Sequence, residues 1–331
     1  MKGWIDRWNA YWFPTTTTLS LAICRIVAVA AQLFWFFPDL DKNLNLLEKN
    51  IEFTDPQPLI RAISAVVSRA VFFTPTVLTA AYWITVVAGV MALVGLFART
   101  SLFVFALGIW FFVSHVYSYA DIHHPEALFC IFLLALAFAP SGQSLSLDEL
   151  IRRRRARLAG NSAAGSKDSA KVDTAMWPLK LAHVLLAMTY FSTGISKLIA
   201  GGPAWMNGYT LQLYTFADAM NRGKPLGIWL AQQHDLAIGL SVLTILLETF
   251  FFVSLIVPRT APFIFVGALF FQIGLAVSAG HNFFQHMVLL VLLLLYINPE
   301  WWRSWWSNYV DRSSPSLVPA RATSPRDAQG A

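Results

Sequence analysis

Long apolar runs separated by short polar turns restrict this chain to one class of fold. A helix needs about 20 apolar residues to cross roughly 30 Å of hydrocarbon, and lipid offers no partner to free backbone N–H and C=O groups. Runs of this kind therefore predict membrane-spanning helices. They lie at 19–37, 77–97, 101–118, 126–140, 177–199, 236–257, 261–279 and 284–298. We expect an all-α protein, a polytopic transmembrane helical bundle of about eight spans, with seven or nine as the alternatives.

Composition agrees with a membrane protein and excludes some functions. Of the 331 residues, 56% are hydrophobic and 13% are charged, whereas soluble domains carry about 25% charged residues. Both cysteines, Cys24 and Cys130, lie inside apolar runs and form no CxxC motif, which argues against a thiol-disulfide oxidoreductase. The first run continues into Phe36-Phe37-Pro38 without a small-residue cleavage site, so we interpret it as a retained helix and not a signal peptide.

The distribution of Lys and Arg predicts the orientation of the bundle. If the N-terminus is inside, the inner segments carry most of the basic residues, including the cluster Arg152–Arg155. The positive-inside rule then places both termini in the cytoplasm and the bundle in the inner (plasma) membrane. Contact with anionic lipid explains the basic cluster, so we expect no nucleic-acid partner. The predicted organisation is an interfacial segment at 1–18, a transmembrane domain at 19–305 with a basic cytoplasmic linker at 151–175, and a disordered tail at 306–331.

Lys197 ends an otherwise apolar helix and precedes a Gly/Pro-rich loop that contains Trp205. An ammonium at such a depth is costly unless it is paired, hydrated or deprotonated. A neutral amine in a dry site can act as a base. The alternative is a lysine whose ammonium reaches the headgroups along the membrane normal.

Other polar residues are expected at the same outer membrane face as Lys197. Titratable groups that gather in this way are typical of an acid/base site. A simple polar turn and histidines that only cap helices are the alternatives, and we expect no metal because the histidines lack a tight ligand spacing. The candidate residues are Asp121, His123 and His124 after the third run, Gly208 and Tyr209 after Trp205, and His281 and His286 between the last two runs.

Two charged residues fall within the predicted hydrocarbon region. Arg25 lies in the first run and Glu248 in the sixth. Their estimated depths are similar, and pairing greatly reduces the cost of burying a charge. We therefore predict an intramembrane ion pair between Arg25 and Glu248, favouring a structural role over a proton relay.

Two segments resemble a known family. The run Ser192-Thr-Gly194-Ile-Ser-Lys197-Leu198, followed by Trp205-x-x-Gly208-Tyr209, is similar to the segment that carries the catalytic lysine of the vitamin K-dependent γ-carboxylase-like group, or HTTM (horizontally transferred transmembrane) domain family. The stretch His123-His124 resembles the family's Asn-His stretch. The resemblance covers roughly residues 15–305.

The resemblance implies a reaction and two catalytic residues. Lys197 would be the base that deprotonates a quinol of the menaquinone or vitamin K type, and His124 would support the developing oxyanion. With oxygen, the quinol would become a strong base that removes a proton from a small carbon-acid substrate, and carbon dioxide would trap the carbanion. Such an enzyme would be a quinol-dependent carboxylase/epoxidase-like lyase or oxidoreductase.

Two other functions remain open at this point. One is a non-enzymatic maturation or immunity partner of a secreted peptide. The other is a DoxX-like quinone-binding subunit. A transporter is disfavoured because no inverted repeat and no paired Gly/Pro-broken helices are visible in the sequence.

Overall fold

Helices form nearly all of the secondary structure in the computed structural model. It describes residues 2–13, 16–49, 51–120, 124–159, 171–172 and 176–297. The helices are α1 (Lys2–Trp12), α2 (Thr18–Phe34), α3 (Leu40–Leu46), α4 (Pro58–Ser64), α5 (Pro75–Val94), α6 (Ala98–Tyr117), α7 (His124–Phe138), α8 (Leu147–Leu158), α9 (Trp177–Gly201), α10 (Tyr209–Arg222), α11 (Pro225–Ala231), α12 (His234–Phe250), α13 (Val253–Ile256), α14 (Ala261–Ser278) and α15 (Phe284–Ile297). Within the described residues, strand pairing is limited to two antiparallel two-residue strands, β1 (Thr16–Thr17) and β2 (Lys171–Val172). The predicted all-α membrane fold is confirmed.

The expected number of spans is too high. Within the described residues, four helical segments are long and apolar enough to cross a membrane, namely Pro75–Val94, Ala98–Tyr117, Trp177–Asn207 and Pro258–Ser278. A fifth arises if α11 and α12, bent by 100° at their junction, count as one span. The first, fourth and eighth apolar runs form shorter helices, namely α2 with 17 residues, α7 with 15 and α15 with 14.

Proline accounts for part of this difference. The first run was predicted to reach residue 37 and the fourth residue 140, but α2 ends at Phe34 and α7 at Phe138. Pro38 and Pro140 follow these two helices, and proline cannot continue a helix because it lacks the N–H and crowds the preceding turn. At 1.5 Å per residue, the 17 residues of α2 extend about 25 Å, short of the roughly 30 Å of a hydrocarbon core.

The apolar core lies where α2, α6, α7, α9 and α15 pack together. Leu21, Phe105, Phe129, Leu186 and Leu290 are among its fully buried side chains. Helix α9 also packs along α12, and that second contact positions the polar residues described below.

Arg25 does not pair with Glu248, so the predicted intramembrane ion pair is wrong. Arg25 is fully buried, and its Nη2 donates a hydrogen bond to the carbonyl of Leu145 at 2.6 Å. Gly95, with a φ of +72°, lies so close that a Cβ there would overlap the guanidinium. Helix α2 packs against α5, α7 and α15, whereas Glu248 on α12 faces α9. Similar depth therefore did not mean a shared interface.

A carboxylate close in sequence to Leu145 strengthens the attachment of this segment to the neighbouring helices. Asp148 accepts hydrogen bonds from the backbone N–H groups of Phe97 and Ala98, each at 2.8 Å. These are free N–H groups at the start of α6, so Asp148 caps that helix. Asp148 also interacts electrostatically with Arg25. The contacts of Arg25 and Asp148 thus connect α2, α6 and α8, and Glu248 takes no part in them.

The peripheral segments are only partly described. Helix α1 exposes Trp4 and Trp8, whose rings stack 5.7 Å apart, and the ammonium of Lys180 lies 3.4 Å from the ring centre of Tyr11. The interfacial position of 1–18 stays a prediction. Helix α8 covers the start of the predicted linker at 151–175, and apart from β2 its remainder from residue 160 lies outside the described residues, as does the predicted tail at 306–331.

Candidate functional site

A cavity of about 450 Å³ lies between α9, α10, α12, α14 and the start of α15. Four of the residues selected for the outer-face site line it: Lys197, Trp205, His281 and His286. Glu248, which was selected as a buried charge, lines it as well. The clustering of these residues at one end of the bundle therefore reflects a shared cavity.

Lys197 and Glu248 form the charged centre of the cavity. The Nζ of Lys197 donates to Oε2 of Glu248 at 2.5 Å, with 21% of the lysine side chain and 6% of the glutamate side chain exposed. The same ammonium lies 5.3 Å from the ring centre of Trp205, within the range of a cation–π interaction. Lys197 is thus paired and not simply reaching toward the headgroups.

Gly194 explains why the two charged side chains meet. A Cβ at this position would lie 2.7 Å from both the backbone N and the Oγ1 of Thr249, and 3.0 Å from the carbonyl carbon of Glu248. A glycine is needed for α9 and α12 to approach this closely. Lys197 follows Gly194 by three residues and so projects from a neighbouring position on the same helix face.

Tyr190 and Gln272 form an uncharged polar pair on another wall of the cavity. The Nε2 of Gln272 donates to the hydroxyl of Tyr190 at 2.7 Å, and the Tyr190 ring stacks on Phe251 at 4.4 Å. The ring of His286 lies 6.3 Å from that of Tyr190. Among the described residues, no group donates to the buried Oε1 of Gln272. A buried acceptor of this kind is costly to leave unsatisfied, and Gln272 is also one of the residues that line the cavity.

His281 lies in the wall of the cavity between the carboxylate of Asp218 and the guanidinium of Arg222. Its Nε2 is 2.8 Å from Oδ2 of Asp218, and its Nδ1 is 3.1 Å from Nη1 of Arg222. A guanidinium can only donate, so Nδ1 accepts and Nε2 carries the proton that is donated to Asp218. This arrangement fixes the tautomer of His281 and does more than cap a helix.

Gly208 and Tyr209 do not line the cavity. Gly208 has a φ of +85°, and a Cβ there would lie 2.9 Å from the backbone N of Ile238, so its role is to allow the turn before α10. The ring of Tyr209 packs on His234 at 4.5 Å, with 64% of the residue exposed. Both residues support the local structure next to the site.

The turn that contains Asp121, His123 and His124 is described only at its last residue. His124 begins α7, but its side chain is outside the described part, and Asp121 and His123 lie outside the described residues altogether. The supporting role of His124 stays a prediction. In the described ranges, no group of three or more His, Cys, Asp or Glu residues could hold a metal ion.

Sequence reasoning missed two contributors to the cavity, Tyr190 and Asp218. Neither carried a signal in the sequence, since a tyrosine in an apolar run and an aspartate between two apolar runs are both common.

Comparison with known proteins gives one match. No curated protein and no solved structure matches the chain. The HTTM domain matches residues 13–301, which covers most of the chain and agrees with the extent of the resemblance. This match, together with the four or five described helices that are long and apolar enough to span a membrane, identifies the chain as a membrane protein that belongs to the HTTM domain family.

Proposed function

We propose that the cavity binds a quinol-type ligand and that the Lys197–Glu248 pair accepts a proton from its hydroxyl. The observation that carries the proposal is the direct contact of an amine and a carboxyl group in an otherwise mostly apolar cavity. A quinol bound there would supply an ionisable hydroxyl and two reducing electrons. The outer-face position of the site and the plasma membrane location belong to the same proposal.

The pair suits this task because its net charge is zero before the reaction. One shared proton makes it either ammonium with carboxylate or amine with carboxylic acid, and both forms have the same total charge. When the pair accepts one more proton, the hydroxyl O–H bond breaks and an N–H bond on Lys197 or an O–H bond on Glu248 forms. The pair then carries +1 and offsets the −1 on the donor oxygen. A poorly hydrated site favours such a balanced transfer, because an unpaired charge there is costly.

Other cavity residues fit the ring of such a ligand. The aromatic walls are Trp205, Tyr214, Phe271 and Phe283. The Tyr190–Gln272 pair adds uncharged polar groups to the lining. The cavity volume of about 450 Å³ is in the usual range of small-molecule sites, roughly 300–1,000 Å³. Family resemblance suggests two further features: His124 would support the developing oxyanion, and the oxidised quinol would later abstract a proton from a small carbon acid.

The test is quinol oxidation under oxygen by the purified protein in lipid nanodiscs. We expect turnover in the wild type and a loss of about 100-fold or more in Lys197→Ala and Glu248→Gln, the usual contribution of a general base. Lys180→Gln is the matched control, because Lys180 is on the same helix but does not line the cavity. Equal rates in all four proteins contradict the proposal. No quinol binding by the folded wild type favours the peptide-partner function instead.

A further inference from the structure

A second cavity, with a volume of about 280 Å³, lies where α2 ends and where α3, α7 and α15 begin. Side chains from the last two turns of α6 complete its wall. Among the described residues, it shares no lining residue with the cavity of Lys197 and Glu248. Gln285 and His286 are consecutive in α15 but line different cavities. The first turn of α15 therefore separates two compartments.

Three buried carboxamide side chains line this second cavity, namely Gln32, Asn43 and Gln285, and we call it the amide cavity. Gln285 is only 9% exposed, and among the described residues its side chain has no hydrogen-bond partner. The Nε2 of Gln32 donates to the carbonyl of Phe36 at 2.7 Å, whereas no described group donates to its Oε1. Nearly buried polar groups without partners are costly. The two glutamines thus present unused hydrogen-bonding groups at the wall of a cavity.

Asn43, by contrast, is held on both sides by the protein itself. Its Nδ2 donates to the carbonyl of Asp39 at 2.7 Å, and its Oδ1 lies 2.9 Å from Nδ1 of His115. Because Nδ2 is the donor of the amide, Oδ1 accepts, and Nδ1 of the fully buried His115 carries the proton. Asn43 thereby attaches α3 to α6 and stabilises one wall of the cavity. A purely structural amide is paired in this way, and Gln285 is not.

The rest of the wall is mostly apolar and partly aromatic. Phe36 stacks on Phe284 at 6.3 Å and meets Phe129 edge-on at 6.2 Å, and these contacts hold the end of α2 against α15 and α7. Phe37 and Phe112 line the cavity as well. Small-molecule sites usually combine apolar walls with a few placed polar groups, in volumes of roughly 300–1,000 Å³. At about 280 Å³, the amide cavity suits a molecule with a single ring.

The charges of the lining favour an uncharged ligand. Asp39, Lys42 and Glu126 are of both signs, and the first two are exposed while the third is half-buried. A charged group would have to leave water for neutral amides, which is costly. A primary carboxamide carries two N–H donors and one carbonyl acceptor. Its donors match the Oε1 atoms of Gln32 and Gln285, and its carbonyl matches the Nε2 of Gln285.

We propose that the amide cavity binds a small uncharged molecule that carries a primary carboxamide on a flat, apolar ring. The carboxamide pairs with Gln32 and Gln285, and the ring packs against the phenylalanine walls. The ligand enters from water, because the lining includes the exposed Asp39 and Lys42. This site does not depend on the proton transfer proposed at Lys197, since the two cavities have separate linings.

The test compares benzamide with benzoate and benzylamine, which have the same ring but are charged at neutral pH. Ligand-observed NMR titrations of the protein in lipid nanodiscs measure binding, and empty nanodiscs correct for partition into lipid. We expect benzamide to bind at least about tenfold more tightly than either, because a carboxylate brings no donor, an ammonium brings no acceptor, and both bring a charge. Equal affinities for the three probes overturn the proposal, as does a folded wild type that does not bind benzamide.

Substitutions at Gln285 locate the site. Gln285→Leu should weaken benzamide binding about tenfold, because it removes the paired amide. Gln285→Glu should reverse the preference, so that benzylamine binds better than benzamide, since a carboxylate there pairs with the ammonium. Such a gain cannot result from misfolding, and an unchanged preference would contradict the contact.

Gln272→Leu is the matched control. Gln272 is also buried, but it lines the cavity of Lys197 and not the amide cavity. This variant should bind benzamide as the wild type does, and thermal unfolding confirms that each variant folds. Equal losses in Gln272→Leu and Gln285→Leu would place benzamide outside the amide cavity and overturn the proposal.

Discussion

The side-chain nitrogen of Lys197 lies 2.5 Å from a carboxylate oxygen of Glu248, although the two residues are 51 positions apart in the sequence. The contact joins α9 to α12 inside a cavity with Tyr190, Gln272 and His281 in its walls. An amine that appears unpaired in the sequence thus becomes half of a neutral pair. The proposed acid/base chemistry depends on this pairing.

The pair makes a distinctive prediction about stability. Lys197→Met or Glu248→Leu alone should lower the free energy of unfolding by about 3 kcal/mol, because each leaves one buried charge without its partner. The double variant should recover most of this loss, since no charge remains. Denaturant unfolding in detergent measures the coupling, and additive losses in the double variant would mean that the pair is not formed.

Gly194 should tolerate no side chain. We expect Gly194→Ala to cost about 1–3 kcal/mol, the usual effect of overpacking, because its Cβ would press against Thr249 and separate α9 from α12. Quinol binding should weaken in parallel, since Lys197 and Glu248 move apart. Gly239→Ala on α12 is the control, because a Cβ there meets no atom within 4 Å. Gly239→Ala should be neutral or stabilising, because Ala has the higher helix propensity. A similar change in stability in both variants would contradict overpacking at Gly194.

Substitutions at Arg25 and at Glu248 should change the free energy of unfolding independently. Arg25 is held by Leu145 and Glu248 by Lys197, so the stability losses of Arg25→Leu and Glu248→Leu should add within about 0.5 kcal/mol. A double-mutant cycle measures this. A coupling of more than about 1 kcal/mol, the size expected for residues in contact, would restore the ion pair predicted from the sequence.

The proposed orientation can be tested by cysteine labelling. Asn45 and Ala159 are exposed, while the native Cys24 and Cys130 are buried and should give little background. A membrane-impermeant maleimide should label Asn45→Cys in intact cells, whereas Ala159→Cys should react only after permeabilisation. The reverse pattern would place Lys197 and its cavity on the cytoplasmic side.

The sequence predicted which residues lie in the site better than it predicted which of them contact one another. Lys197, Trp205, His281 and His286 were selected because turns and helix ends on one side of a bundle must lie near one another, and that reasoning needs no knowledge of packing. Glu248 was selected as a buried charge but assigned to Arg25. Position along a helix predicts depth but not which neighbouring helix a side chain faces, and α12 packs on α9 whereas α2 packs on α5, α7 and α15.

In the fold as well, sequence patterns predicted the helices but not how the helices pack together. Apolar runs identified the membrane helices, but run length overestimated helix length where Pro38 and Pro140 follow α2 and α7. The sequence also did not show which side of each helix faces its neighbours. Tyr190 meets Gln272 because of how α9 and α14 rotate in the bundle, and apolar runs on every side leave that rotation undefined.

The most direct measurement is the ultraviolet difference spectrum of a quinol bound without oxygen, since an ionised ring hydroxyl absorbs at longer wavelength than a neutral one. We predict the ionised spectrum with the wild-type protein and the neutral spectrum with the Lys197→Met/Glu248→Leu double variant, which should still fold and bind. The ionised form should also persist with Lys180→Gln. A neutral spectrum with the bound wild type, or the same ionised spectrum with the double variant, would contradict proton transfer to the Lys197–Glu248 pair.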